Sequence, residues 1–284
     1  MTAGRITVPV IRARKGGGKV TVLTAYDTPT ACLLDGAGVD VILVGDSVGN
    51  VLLGYENTLP VTMEEMLHHL KAVRRGVSRA MVVADMPFIS YQASFDDAVR
   101  NAGMFMKAGA DAVKLEGGLE AVEMVKRIAG IGMPVMGHVG LTPQKVNQYG
   151  GFKAQGRDAQ TALVIYQSAM AIVKAGAFSM VIESVPHAVA GMVTRGCPVP
   201  IIGIGAGPDC DGQVLVFNDL VGLTKTPPKF AKAYVNGLEL FSEAVKAYAR
   251  EVQTGAFPAS TGGPEIPPAE LKELARMIGS LPPA

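Results

Sequence analysis

Short apolar segments that alternate with longer stretches of helical period limit the possible folds of this sequence more than any other feature. Most of them are five to seven residues long, rich in Val and Ile, and free of alternating polar positions. This pattern is typical of parallel strands that are covered on both faces. The segments occupy residues 20–25, 39–45, 80–84, 111–115, 134–138, 178–182, 200–205 and 214–217. Eight strands separated by helices predict an α/β fold, a (β/α)₈ TIM barrel.

An open, doubly wound sheet is the alternative architecture. Such a sheet usually has fewer strands and a glycine-rich turn after the first one. Here the first segment is followed by Tyr26-Asp27-Thr28-Pro29, which is not a phosphate-binding loop. The closed barrel is therefore the favoured prediction.

Three regions are expected along the chain. Residues 1–18 would form an N-terminal arm, and its basic stretch Arg12-Ala13-Arg14-Lys15, which precedes three glycines, is predicted to be solvated. Residues 19–255 would form the catalytic barrel. Residues 256–284 would form a Pro/Gly-rich C-terminal tail with one short helix near 269–278.

Composition narrows the class of protein. The net charge of +1 gives no reason to expect nucleic acid or a membrane surface as a partner. A charged fraction of only 18% beside 49% hydrophobic residues favours a homo-oligomer in which some surface is covered. Three widely spaced cysteines form no CxxC pair, and no apolar run reaches the length of a membrane span. We therefore expect a cytoplasmic protein.

Carboxylates follow three consecutive strands at the edge where barrel enzymes place their active sites. The second, third and fourth strands end near Asp46, Asp85 and Glu116. Because neighbouring strands lie about 4.8 Å apart, these side chains would crowd and repel one another without a cation between them. Mg²⁺ is typically bound by one or two carboxylates together with water and substrate oxygens. The sequence thus predicts a magnesium site at Asp46, Asp85 and Glu116.

Strand alternation predicts a ring of polar side chains at the top of the barrel. Residues two apart on a strand share a face. The pairs that should point the same way are Val44 with Asp46, Val83 with Asp85, Lys114 with Glu116, Met136 with His138, and Val181 with Glu183. If these faces look into the barrel, a cationic Lys114 could hold a substrate carboxylate.

Other polar or glycine-rich positions have structural explanations. Asp27 is predicted to be a helix cap or a loop acceptor. His68 and His69 are predicted to be surface or packing residues, and His138 is either a neighbour of the catalytic group or a core histidine. The glycine-rich segment 203–207 could bind phosphate or allow close backbone approach, and the sequence leaves both open.

The sequence resembles the ketopantoate hydroxymethyltransferase family over roughly residues 5–255. The segments that carry the resemblance are TAYD (24–27), VGDSVGNVLLGYENTLPVT (44–62), ADMPFISYQAS (84–94), NAGMFMKAGADAVKLEGG (101–118), GHVGLTPQ (137–144), GGFKAQGR (150–157), IGIGAG (202–207) and DGQVLV (211–216). The resemblance implies a Mg²⁺-dependent barrel, typically a homodecamer. It also implies transfer of a one-carbon unit from 5,10-methylenetetrahydrofolate to 3-methyl-2-oxobutanoate, giving 2-dehydropantoate for pantothenate biosynthesis.

The resemblance also implies roles for individual residues. Asp46 and Asp85 would bind the metal, and Glu116 would lie at the metal, through water. Glu183 would accept the proton from carbon 3 of the keto acid. The substrate-binding residues would be Asp46, Ser47, Asp85, Lys114 and His138.

Two alternatives are open, and the second belongs to another functional class. One is a related Mg²⁺–enolate barrel of the isocitrate lyase and phosphoenolpyruvate mutase group, which usually has a loop with a reactive cysteine. Cys32, Cys197 and Cys210 do not stand at the acidic strand ends. The other is a barrel without activity that binds a ligand or supports an assembly, although such a protein would not need these buried charges.

Overall fold

The strands of this chain close into a parallel barrel. The computed structural model describes residues 4–258 and 263–280. Its strands are β1 (Val20–Thr24), β2 (Val41–Val44), β3 (Met81–Asp85), β4 (Ala112–Lys114), β5 (Val135–Gly140), β6 (Ser179–Glu183), β7 (Ile201–Ile204) and β8 (Gly212–Leu215). Each strand pairs with the next, and β8 pairs in parallel with β1. The predicted (β/α)₈ barrel is confirmed, and the open sheet is excluded.

Helices precede, separate and follow these strands along the chain. They are α1 (Val8–Arg12), α2 (Thr28–Gly36), α3 (Val48–Val51), α4 (Met63–Arg75), α5 (Phe95–Lys107), α6 (Val122–Gly130), α7 (Val146–Tyr149), α8 (Ala159–Lys174), α9 (His187–Gly196), α10 (Phe217–Leu220), α11 (Gly237–Thr254) and α12 (Pro268–Gly279). Short 3₁₀ turns, Leu119–Ala121 and Pro143–Lys145, lead into α6 and α7. None of the helices in the described part of the chain is both long and apolar enough to cross a bilayer.

The N-terminal arm packs into the barrel. Ile6 and Ile11 are buried and belong to the same apolar cluster as the inward-facing residues of the strands. Lys15 Nζ lies 2.8 Å from Asp211 Oδ2, which ties the arm to the segment that leads into β8. The predicted solvation of the basic stretch holds for Arg12 and Ala13, which are exposed, whereas Arg14 and Lys15 are half-buried. The apolar residues Ile6 and Ile11 that precede them fill the amino-terminal end of the barrel.

Two compact units divide the chain, Met1–Val235 and Asn236–Ala284. The first contains all eight strands, and the second contains α11 and α12. The division precedes α11, whereas the boundary that we predicted at 255 follows it. In the second unit, α12 occupies the segment for which the sequence predicts a short helix.

Candidate active site

The polar side chains predicted from the strand ends line one cavity in the barrel. Its volume is about 150 Å³, which is roughly five times the share of liquid volume that one water molecule takes up. The predicted residues that line it are Asp46, Ser47, Asp85, Lys114, Glu116, His138 and Glu183. The structure thus brings together every site residue that was predicted, in a space suited to a small ligand.

Strand alternation explains how most of these side chains reach the cavity. Val83 and Val181 pack in the barrel interior, and Asp85 and Glu183, two residues further along, line the cavity. The same holds for Met136 and His138 on β5 and for Ala112, Lys114 and Glu116 at β4.

The end of β2 departs from this rule. Val44 packs in the layer between the barrel and its helices, yet Asp46 lines the cavity. The strand ends at Val44 and the chain turns at Gly45, where an added side chain would meet Ser47 Oγ at 2.7 Å. The predicted shared face of Val44 and Asp46 is therefore wrong, because a turn directs Asp46 inward.

A buried ion pair lies at the ends of β3 and β4. Lys114 Nζ is 2.6 Å from Asp85 Oδ1, and both side chains are buried. Asp85 Oδ2 accepts the backbone N–H of Asp46 at 3.1 Å. Burial lowers the pKa of Lys114, but the carboxylates of Asp85, Glu116 and Asp46 outweigh burial and raise that pKa above its usual value. Lys114 is therefore held as a cation.

Asp46 shows the crowding of carboxylates that the sequence predicts. Burial raises the pKa of Asp46, and the charges of Asp85 and Glu116 raise it further, to about 8. Lys114 and the side-chain amide of Gln144, which donates to Asp46 Oδ2 at 2.9 Å, lower the pKa only in part. A cation close to these oxygens would favour the charged form.

His138 lies between two carboxylates. Its Nδ1 is 3.3 Å from Glu116 Oε1, and its Nε2 is 3.3 Å from Glu183 Oε2. Burial and Lys114 lower the pKa of His138, but Glu116 and Glu183 raise it to about 9. The imidazole is therefore cationic near neutral pH, and it contacts Glu183 directly.

The three predicted metal ligands do not form a closed cage. Within residues 4–258 and 263–280, no group of three or more His, Cys, Asp or Glu side chains is arranged to hold a metal ion. Glu116 already accepts the backbone N–H of Gln144 at Oε2 and faces His138 with Oε1. Asp85 Oδ1 also has a partner, because it pairs with Lys114 Nζ at 2.6 Å, and this contact is not aligned as a hydrogen bond. Oxygens of Asp46 and Asp85 suit Mg²⁺, which takes one or two carboxylates and completes its shell with water or substrate.

Structural roles are confirmed for two predicted residues, and the glycine segment shows close packing. Asp27 begins α2 by accepting the N–H of Thr30 at 2.7 Å. His69 is buried, and its Nδ1 lies 2.8 Å from the carbonyl oxygen of Tyr26. Gly205 has a φ of +59°, and an added side chain would meet Phe230 at 2.6 Å. Close approach therefore explains this glycine, and phosphate binding stays a prediction.

Several residues near the site were not singled out from the sequence. Thr58 lines the cavity, and its buried Oγ1 has no hydrogen-bond partner in the described residues. Asp219 on α10 and Phe230 also line it. Gln144 and Tyr91 lie behind the carboxylates, where the Tyr91 hydroxyl donates to Gln144 Oε1 at 2.9 Å. Both lie in segments that carry the family resemblance, which is the signal that could have identified them.

A sequence comparison decides the family. The model of the family described as ketopantoate hydroxymethyltransferase matches residues 5–260. The chain belongs to the ketopantoate hydroxymethyltransferase family. It is therefore an enzyme that transfers a hydroxymethyl group.

Relatives in this family match nearly the whole chain. A protein of Carboxydothermus hydrogenoformans named 3-methyl-2-oxobutanoate hydroxymethyltransferase is 52% identical over 269 residues, which cover 92% of this chain and 98% of the relative. The protein of the same name from Syntrophus aciditrophicus is 56% identical over 257 residues, covering 89% of this chain and 94% of the relative.

A solved structure shares the fold at low sequence identity. Phosphonopyruvate hydrolase aligns with a TM-score of 0.59 and 16% identity over 96% of this chain and 97% of its own. This likeness concerns the barrel alone. The residues that line the cavity include none of the three cysteines, all of which lie in the described part of the chain.

Proposed function

We propose that this enzyme transfers a hydroxymethyl group from 5,10-methylenetetrahydrofolate to 3-methyl-2-oxobutanoate, giving 2-dehydropantoate for pantothenate biosynthesis. The names of the relatives support the acceptor. The observation that carries the proposal is the buried Lys114–Asp85 ion pair beside Asp46, in the same small cavity as the Glu183–His138 pair.

The proposed cofactor is Mg²⁺. Asp46 and Asp85 would hold it, and Glu116, whose oxygens already have protein partners, would act through water. When bound, the ion would act as a Lewis acid that stabilises negative charge on the keto and carboxylate oxygens of the substrate.

Lys114 would bind the carboxylate of the keto acid. Its position at the end of β4 and its raised pKa keep a positive charge inside the cavity. In a buried site this charge is worth more than in water, so it would stabilise the negative charge that develops during enolisation. Ser47 Oγ, 2.9 Å from the hydroxyl of Tyr26, offers a further polar contact at the cavity wall.

Glu183 would remove the proton from carbon 3 of the keto acid. The electron pair of that carbon–hydrogen bond would move between carbons 2 and 3 to form the enolate. Carbon 3 would then bond to the methylene carbon of the folate as one of the two carbon–nitrogen bonds of that methylene group breaks. Water would replace the second nitrogen, so that its oxygen becomes the hydroxyl of the product and tetrahydrofolate leaves with the released protons. The positively charged His138, 3.3 Å from Glu183 Oε2, would hold the base in place.

An assay with both substrates tests the function. Purified enzyme with Mg²⁺, 3-methyl-2-oxobutanoate and 5,10-methylenetetrahydrofolate should form 2-dehydropantoate, detected by mass spectrometry. EDTA should stop the reaction, and added Mg²⁺ should restore it; EDTA saturated with Mg²⁺ beforehand is the control. Lack of product in the complete mixture would contradict the function, and full activity in EDTA would contradict the metal requirement.

We also propose a homo-oligomer, with the homodecamer implied by the family resemblance. Within the second unit, α11 exposes large apolar side chains that water does not favour. These are Leu238, Leu240, Phe241, Val245, Tyr248 and Val252. Sedimentation equilibrium should give ten times the mass of the chain, and a monomer at micromolar concentration would contradict the proposal.

A further inference from the structure

Gln144 is a buried amide that has no part in the mechanism above. It lies in the turn Pro143–Lys145 after β5, and only 6% of it is exposed. Its Nε2 donates to Asp46 Oδ2 and to the carbonyl oxygen of Met86, each at 2.9 Å. Its Oε1 accepts from the Tyr91 hydroxyl and from Gln92 Nε2, also at 2.9 Å. Each donor and acceptor position of the amide thus has a neighbour, and the single Tyr91 proton is shared with the carbonyl oxygen of Glu116, also at 2.9 Å.

The orientation of this amide follows from its partners. A carboxylate oxygen and a backbone carbonyl accept hydrogen bonds, so the nitrogen must face Asp46 and Met86. The Tyr91 hydroxyl and the Gln92 amide then donate to the oxygen on the other side. Rotation of the amide by half a turn would place its oxygen against the carbonyl oxygen of Met86 and the carboxylate of Asp46, so these two acceptors fix its orientation.

The backbone of the same residue holds a second carboxylate. The N–H of Gln144 donates to Glu116 Oε2 at 3.0 Å. One residue on the loop after β5 thus contacts carboxylates from the ends of β2 and β4, which are two of the three predicted metal ligands. If residue 144 only filled space, an apolar side chain would serve, because it has no polar groups that need partners. The amide at this position therefore indicates a role in orienting charges.

We propose that Gln144 is a positioning residue for the metal centre, an inference that rests on the proposed function. By holding Oδ2 of Asp46, it would leave the other oxygen of that carboxylate for the cation, and its N–H holds Oε2 of Glu116. Partners of this kind, one step removed from the metal, typically change metal affinity by about 10- to 100-fold when they are removed.

Metal binding tests this inference without relying on turnover. The full chain, freed of metal with EDTA and dialysed, is titrated with Mn²⁺ while free Mn²⁺ is measured by electron paramagnetic resonance. Gln144→Met keeps the length of the side chain but loses its donors, and it should weaken Mn²⁺ binding by about 10-fold or more. Gln144→Asn keeps an amide that is too short to span Tyr91 and Asp46, and it should weaken binding at least about threefold.

Gln213→Met is the matched control. Gln213 also donates from Nε2 to a backbone carbonyl, that of Gly207 at 2.9 Å, but it is exposed on β8 and does not line the cavity. This variant should bind Mn²⁺ as the wild type does. The kcat of Gln144→Met should also be closer to that of the wild type at high Mn²⁺ concentration than at low Mn²⁺ concentration. A purely structural defect would not depend on the Mn²⁺ concentration in this way.

The outcomes separate the inference from the proposed function. Wild-type Mn²⁺ affinity in a folded Gln144→Met or Gln144→Asn protein would overturn the inference alone. Loss of the native circular dichroism spectrum in both variants would assign Gln144 to the fold and would overturn it too. A wild-type enzyme that binds no Mn²⁺ would remove the proposed metal site, and the inference with it.

Discussion

Glu116 and Asp46 are buried carboxylates of one cavity, but their pKa values move in opposite directions. Burial raises the pKa of Glu116, yet His138, Lys114 and the N–H of Gln144 lower it overall. The pKa of Asp46 is raised to about 8, because its partners do not offset burial and the neighbouring carboxylates. The identity of the partners, more than burial itself, therefore decides the charge of each carboxylate.

The role of Glu183 can be tested by one substitution. Glu183→Gln keeps the shape of the side chain but removes the basic oxygen, so it should retain keto-acid binding. It should lose at least about 100-fold in the rate at which the carbon 3 proton exchanges with D₂O, the usual size of a general-base contribution. Proton NMR of 3-methyl-2-oxobutanoate in D₂O measures this rate. Glu123→Gln on the exposed face of α6 is the control, and exchange at the wild-type rate would remove Glu183 from the role of base.

Asp35 connects two elements of the barrel wall. It lies near the end of α2 and accepts the backbone N–H groups of Ser78, Arg79 and Ala80 at 2.9, 3.1 and 2.7 Å. These residues lead into β3, which ends in Asp85. Burial raises the pKa of Asp35, but the N–H groups of Ala80 and Ser78 lower it overall. The register at which β3 enters the barrel thus depends partly on a charged carboxylate.

The stability that Asp35 contributes should depend on pH. Its pKa is lower in the folded than in the unfolded chain, so its contribution is complete above the unfolded pKa of about 4 and is lost as pH falls through the folded pKa. Asp35→Asn should lower the free energy of unfolding at pH 7 by about 1 kcal/mol, less than the roughly 1.5–3 kcal/mol of hydrogen bonds to a charged group, because the side chain is partly exposed. Urea unfolding at pH 7 and pH 3 measures the difference.

This difference between wild type and Asp35→Asn should shrink at pH 3. Asp96→Asn, at an exposed position in the first turn of α5, is the control and should change stability less. An equal difference at both pH values would mean that the charge of Asp35 does not stabilise the entry to β3.

The two ends of the barrel differ in chemistry. At the amino-terminal end, Ile6 and Ile11 complete an apolar core together with Val20 and Met81. The charged side chains collect at the opposite end, around the cavity. The apolar end stabilises the fold, and this offsets the cost of burying the charged side chains at the other end.

Ligands of the charged end should therefore stabilise the whole unit. A ligand that binds only the folded state at 100 times its Kd adds about 2.7 kcal/mol. For a unit of this size that corresponds to an increase in Tm of roughly 5–10 °C. Mg²⁺ with 3-methyl-2-oxobutanoate should produce such an increase in a calorimetric scan, and EDTA should reverse it. NaCl at equal ionic strength is the control, and an unchanged Tm would argue against the site.

Sequence reasoning worked where a physical rule acts locally along the chain. Strands that are covered on both faces must be apolar, so all eight strands could be predicted from apolar segments of the sequence. Only the start of β8 differs clearly, since it lies two residues before the predicted segment. The carboxyl ends of parallel strands share one edge, so Asp46, Asp85 and Glu116 could be placed together before the structure was known.

Only the tertiary structure determines the contacts between side chains that are distant in sequence. Gln144 and Asp46 are 98 residues apart, and no local pattern indicates that the amide of one meets the carboxylate of the other. The turn at Gly45, which brings Asp46 inward, and the burial of Ile11 at the amino-terminal end of the barrel are likewise set by packing. The sequence alone determined the barrel and the set of charges at its mouth, because burial and periodicity act residue by residue. Which oxygens are held and which are left for a ligand was decided only when the closed barrel brought distant donors and acceptors together.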